Sequence, residues 1–173
     1  MLNPIPSEVD VAVIGAGSAG LPAFRAAREH TDRVILIERG PHGTTCARVG
    51  CMPSKLLIAA AEAAHGMEIA PGFGIHPGSI SIDGEAVMER VRRERDRFVG
   101  FVLDGVDRID PEQKISGQAR FVEDSRLEIG NSQVRAGRVV IASGTSPAIP
   151  DFLEQVRDLS LIHISEPTRP RII

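Results

Sequence analysis

"VDVAVIGAGSAGLPAF", residues 9–24, decides the fold. Val9 to Ile14 is short, rich in β-branched residues and nearly continuous in apolar character, the pattern of a strand covered on both faces. It runs directly into Gly15-Ala16-Gly17-Ser18-Ala19-Gly20, and the alanine-rich "LPAFRAAREH" that follows has the composition of a helix. "VILI", residues 34–37, reads as the next buried strand and ends at Glu38. A strand, a glycine turn, a helix, a second strand and an acidic residue form a dinucleotide-binding unit.

Each part of that unit has a mechanical reason. Gly15 permits the tight turn, Gly17 lets backbone amides approach a pyrophosphate without a Cβ in the way, and Gly20 lets helix and strand pack closely. The phosphates then sit at the positive end of the helix. Glu38 is placed to accept hydrogen bonds from the ribose hydroxyls of an adenosine. A glycine-rich turn alone is also a plain connector; the flanking strands and Glu38 favour the dinucleotide. Pro22 falls at or just beyond the first helical turn, where its missing N–H is harmless only if it had no partner to lose, so a distorted helix start is expected.

This unit does not distinguish FAD from NAD. The chain has two cysteines, Cys46 and Cys51, both inside "TTCARVGCMPSK", residues 44–55. In an ideal helix, residues five apart have Cα atoms roughly 8.7 Å from each other, beyond the ~7 Å that a disulfide tolerates. If the two bond, the backbone of "ARVG" departs from a helix, and Gly50 is the residue that allows it. "MPSKLLIAAAEAAH" then resumes helix composition, with Pro53 in its opening turn. Cys51 is therefore expected near a helix N-terminus, where the dipole favours a thiolate, with Lys55 as a nearby cation. Two thiols with His42 or His65 could bind zinc, but a structural site wants four ligands, so no metal is expected. Two core cysteines are a further alternative; a redox pair suits the clustering better.

Bulk properties narrow the classes. The 173 residues are 42% apolar, enough for one domain with a core. A formal charge of −3 gives no electrostatic case for nucleic acid. The N-terminus lacks a basic flank and a small-residue cleavage pattern, and no apolar run approaches the ~18 residues of a membrane span, so a cytoplasmic protein is expected. Close cysteines in that compartment point to redox chemistry or metal binding more than to a static staple. "DGEAVMERVRRERDRFVGFVLDGVDRI", residues 83–109, has helical periodicity, and its charge run reads as a solvated face. "GQARFV", "RLEIG" and "SQVRAGRVVIAS" read as short strands.

"TTCARVGCMPSK" resembles the redox-active segment of the flavin-dependent pyridine nucleotide-disulfide oxidoreductases, G-G-T-C-x4-C-x-P-S-K. Gly15, Gly17, Gly20 and Glu38 match that family's FAD fingerprint. "RVVIASGTSPAIP" is similar to its second flavin motif, A-T-G-S-x-P, with Ala142, Gly144 and Pro147 in matching places. The resemblance covers about residues 8 to 152 and is greatest to the dihydrolipoamide dehydrogenase branch, with mercuric and glutathione reductases as close cousins. Thr44 stands where the family has its second glycine, and Ser143 where threonine is usual.

The resemblance implies an incomplete α/β, Rossmann-like FAD-binding domain of ββα type, a parallel sheet with a small β-meander. It occupies residues 9–152, after an extension over 1–8. Cys46 would be the interchange thiol that meets substrate, and Cys51 the thiolate beside the flavin. Thr45, Lys55, Ser143 and Gly144 would join the cofactor site, with backbone near Ala119 against the adenine. Electrons would pass from dihydrolipoamide through a Cys46–Cys51 disulfide and FAD to NAD in a homodimer. A mercuric or NADPH-dependent disulfide reductase shares these residues, and a non-catalytic flavin-binding module is the alternative outside enzymes.

The family's second glycine-rich domain, its later G-D motif and its C-terminal dimerisation domain, with a His-Glu acid/base pair, have no counterpart here. His30, His42, His65, His76 and His163 match none of that pattern. "LSLIHISEPTR", residues 159–169, resembles a translated sequencing-library adapter, so residues 153–158 are expected to begin a truncated connection and 159–173 to be a non-native tail.

Overall fold

The computed structural model describes residues 5–146, 148, 150–152 and 169–170. Pro147, His163, the expected connection at 153–158 and most of the tail lie outside the described residues. Of the tail, Arg169–Pro170 pair antiparallel with Thr145–Ser146.

The opening unit runs strand, helix, strand: β1 (Glu8–Ile14), α1 (Gly20–Arg28) and β2 (Val34–Glu38). A single turn, α2 (Thr45–Arg48), leads into the long α3 (Cys51–Ile69), a short 3-10 turn and α4 (Gly84–Asp107). The chain then returns through β3 (Lys114–Ser116), β4 (Ala119–Glu123), β5 (Arg126–Ile129) and β6 (Ser132–Ile141). All six strands form one sheet in the order β3-β2-β1-β6-β5-β4. The first four are parallel, and β4 to β6 form the antiparallel meander.

The expected meander is thus continuous with the parallel sheet. Strand β6 serves both: residues 132–135 pair with β5, and residues 135–141 pair with β1. Strand β3 was not expected from the sequence, because "KIS" has a single apolar residue; Ile115 alone anchors it and is buried.

Burial explains the apolar runs. On one face, Val13, Val34 and Leu36 pack with Leu21 and Phe24 of α1 and Val106 of α4. On the other, Ala12, Ile35 and Ile37 join Leu127, Ile129 and Val134 of the meander in a second cluster. The charge run of α4 does lie on a solvated face, where Arg93 and Arg97 both pair with Glu94. The expected distortion at Pro22 is absent. Leu21 N–H bonds Gly17 O and Ala23 N–H bonds Ala19 O, so the helix starts regularly on both sides of it. Pro22, the third residue of α1, stands between these two bonds, and its missing N–H leaves both intact.

Leu36 is fully buried between the sheet and both helices. Leu36→Ala is expected to destabilise the chain by about 2–5 kcal/mol, read from denaturant unfolding; a loss below about 1 kcal/mol contradicts this packing.

Candidate active site

The glycine turn leaves the carboxyl end of β1 at the centre of the sheet, where β2 lies on one side and β6 on the other. That is the switch point at which open α/β sheets bind ligands. Gly15 has φ 103°, and a Cβ there would stand 2.1 Å from the Ala142 carbonyl oxygen. A Cβ on Gly20 would stand 1.7 Å from the carbonyl oxygen of Gly15. Gly17 differs: a Cβ there would meet no atom within 4 Å. Two glycines are required by backbone contact, and the middle one faces open space.

Glu38 crosses this turn. Its Oε2 accepts from the Ala16 amide at 2.7 Å and its Oε1 from the Gly40 amide at 2.7 Å. A carboxylate has about four acceptor positions, so capacity for hydroxyls remains. Ala142 N–H donates to Ile14 O, which brings Ser143 and Gly144 beside the turn. Gly117 N–H donates to Glu38 O, which leads the chain past the end of β2 into Ala119. The expected cofactor residues Gly15, Gly17, Gly20, Glu38, Ala119, Ser143 and Gly144 therefore gather around the carboxyl ends of β1, β2 and β6.

The open face at Gly17 and the half-buried acid fit the dinucleotide of FAD. His42, in the loop after β2, has a buried Nδ1 without a hydrogen-bond partner. Sequence reading promotes no histidine, and nothing in the local string "GPHGTT" marks this ring for burial. A cleft of about 490 Å³, lined by Pro6, Glu8, Arg28, Asp32, Arg33 and Gln113 among others, lies at the opposite, amino-terminal edge of the strands. It contains none of the expected site residues.

Both cysteines follow from a broken helix. Residues Thr45–Arg48 make one turn, Val49 ends it, and Gly50 at φ −112°, ψ −112° starts α3 at Cys51. The departure from a helix expected around "ARVG" is present. The cysteines are free thiols, Cys46 half-buried and Cys51 exposed. The Cys46 thiol is pushed up from its ordinary value, first by its hydrogen bond with the Cys51 side chain, then by burial and by the charge of Cys51. The Cys51 backbone N–H and the Lys55 ammonium act in the opposite direction and do not prevail. The helix start and the lysine thus act on the Cys46 sulfur, and the net direction is upward. Thr45, exposed on the first turn, accepts the amides of Val49 and Gly50 through its carbonyl.

Thr44 completes the loop in an unusual way. It has φ 58° and ψ 146°, a region that strains any residue with a Cβ by about 1–3 kcal/mol. Its Oγ1 accepts from Ala47 N–H at 3.1 Å. Among the described residues no group of three or more His, Cys, Asp or Glu is arranged to hold a metal ion, and no helix is long and apolar enough to cross a membrane.

Two predictions follow from the geometry. Gly17→Ala is expected to leave stability within about 0.5 kcal/mol yet to weaken FAD binding by at least tenfold in a fluorescence titration, whereas Gly20→Ala is expected to abolish the folded transition. Cys51→Ala is expected to move the pH midpoint for iodoacetamide alkylation of Cys46 downward, because it removes the largest upward influence, while Lys55→Gln moves it upward. An unmoved midpoint in Cys51→Ala contradicts the coupling.

Known proteins resemble this chain over most of its length. A mercuric reductase of Streptomyces lividans is 36% identical over 159 residues, 85% of this chain and 33% of that protein. A glutathione reductase of Burkholderia cepacia is 32% identical over 143 residues, 83% of this chain and 32% of that protein. The flavoprotein disulfide reductase RclA of Escherichia coli, in its Cu(II) complex, superposes with a TM-score of 0.61 at 22% identity, over 84% of this chain and 31% of that one. The chain spans about a third of the length of these relatives. The family model for pyridine nucleotide-disulphide oxidoreductases matches residues 9–168, and the chain belongs to that family.

Proposed function

We propose that this chain is the flavin-binding, dithiol-bearing part of an FAD- and NAD(P)H-dependent reductase acting on a thiophilic oxidised substrate, a disulfide or a mercuric ion. The observation that carries this is the placement of two free cysteines on either side of the α2–α3 break, Cys46 within α2 and Cys51 as the first residue of α3. The relatives named above favour the reductive direction over the oxidation of dihydrolipoamide by NAD, which would use the same residues in reverse. When bound, FAD supplies the link between hydride from a nicotinamide and two-electron thiol chemistry. Gly15, Gly17 and Gly20 would admit its pyrophosphate, Glu38 its ribose, and Ser143, Gly144, Thr45, Lys55 and His42 would line the remaining site.

The dithiol chemistry balances on this chain's own atoms. With a disulfide RS–SR, the Cys46 sulfur, once deprotonated, attacks one substrate sulfur; a Cys46–SR bond forms, the S–S bond breaks, and the expelled thiolate takes up a proton. Cys51 then attacks the Cys46 sulfur, releasing the second thiol and leaving a Cys46–Cys51 disulfide. Two electrons pass from the chain to substrate, and NAD(P)H is the reductant that replaces them. A mercuric ion, being soft, is held by the two sulfurs as thiolates. Because the Cys46 thiol is pushed up, attack is helped by a base, which by the family resemblance would be a histidine of the partner subunit in a homodimer.

The test uses one turnover. The chain loaded with FAD, reduced with dithiothreitol and desalted, is mixed with glutathione disulfide. Release of two equivalents of glutathione per chain is expected, with none from Cys46→Ser. Undiminished release from Cys46→Ser overturns the mechanism, and faster oxidation of dihydrolipoamide by the disulfide form reverses the assigned direction.

A further inference from the structure

We infer that Thr44 is a positioning residue for the dithiol: from a glycine-type backbone conformation its hydroxyl caps the single turn α2 and so holds the Cys46 sulfur against Cys51. The inference rests on the dithiol reading above and adds a residue to it. Only two non-glycine residues among those described have positive φ, Thr44 at 58° and Ser125 at 66°. Ser125 belongs to the tight turn between β4 and β5, away from the cysteines. Thr44 lies two residues before Cys46.

A β-branched residue does not adopt this conformation on its own account. Two hydrogen bonds and a crowded preceding residue hold it there. Thr44 Oγ1 accepts from Ala47 N–H at 3.1 Å, Thr44 O accepts from Arg48 N–H at 3.1 Å, and the preceding Gly43, at φ 110°, is closely bounded by Arg48 and by Val99 of α4. The turn that these contacts hold has four residues, too few to persist through its own hydrogen bonds. Cys46 is its second residue, and Cys51 opens α3 five residues on, directly after the break at Gly50.

The family pattern has glycine here, which takes this backbone conformation freely but offers no cap. Threonine exchanges that freedom for a hydrogen bond inside the turn. With the hydroxyl removed, an L-residue has no compensation for the conformation, α2 loosens, and the effective concentration of one sulfur at the other falls.

The reduction potential of the Cys46–Cys51 pair in the full chain tests this. Equilibration with mixtures of reduced and oxidised dithiothreitol, in which two thiols lose two electrons and two protons to the dithiothreitol disulfide, is followed by thiol trapping and mass spectrometry. Thr44→Ala is expected to weaken the disulfide about tenfold, a potential about 30 mV less negative, and Thr44→Ser is expected to stay within about twofold of the parent. A Thr44→Ala value within twofold of the parent, or Thr44→Ser shifted as far as Thr44→Ala, overturns the proposal and leaves the dithiol reading intact. Failure of the parent chain to form the disulfide overturns both. Hydrogen exchange in the unmutated chain gives a measurement independent of any variant's folding: the Ala47 amide is expected to exchange at least tenfold more slowly than an unstructured amide, and exchange at the unstructured rate overturns the cap.

Discussion

The backbone of Gly20 presses on the carbonyl of Gly15 so closely that a Cβ would be 1.7 Å from the oxygen. That contact fixes where α1 begins relative to the end of β1. With Gly15 also close against Ala142, where a Cβ would be 2.1 Å from the carbonyl oxygen, it locks β1 to β6 at the same point. The turn between them is then free to face outward at Gly17 and to offer the Ala16 amide to Glu38. Three strand ends converge there, and none of them would do so if either outer glycine carried a side chain.

The glycine unit was legible because its periodicity, glycine spacing and terminal acid are local features. The buried strands followed from apolar runs, and both long helices from composition and charge pattern. What was not legible depended on partners distant in the chain. Strand β3 is three residues long and is recruited by pairing Ile115 with Ile37. The double use of β6 rests on Arg135 being opposite both Glu8 and Arg126. Pro22 was read as a source of distortion because its position within the first turn was open by a residue. Helix α3 has apolar composition but no buried residue, and Ile58, Met67 and Ile69 are exposed along it. Composition identifies such a helix without identifying what it packs against.

The active-site loop was legible in its residue types and not in its backbone. The Cys-x4-Cys spacing required a break, and Gly50 supplied it, as expected. Thr44 could be seen only as a departure from glycine. Its cost and its cap are properties of one φ angle and one hydrogen bond, neither of which a string of letters records. His42 is similar: its significance is an orphaned Nδ1, which exists only once the loop has closed around it.

Electrostatics at the dithiol follows from distance and solvent. Lys55 is a full charge but an exposed one, and solvent weakens its influence on the Cys46 sulfur. The hydrogen bond with Cys51 is direct and shorter-ranged, so it outweighs the lysine, and burial acts in the same direction. The upward shift disfavours the Cys46 thiolate, and the thiolate is the nucleophile. The cap at Thr44 and the break at Gly50 are therefore one arrangement: together they set where Cys46 lies relative to Cys51, and Cys51 in turn pushes the Cys46 thiol up.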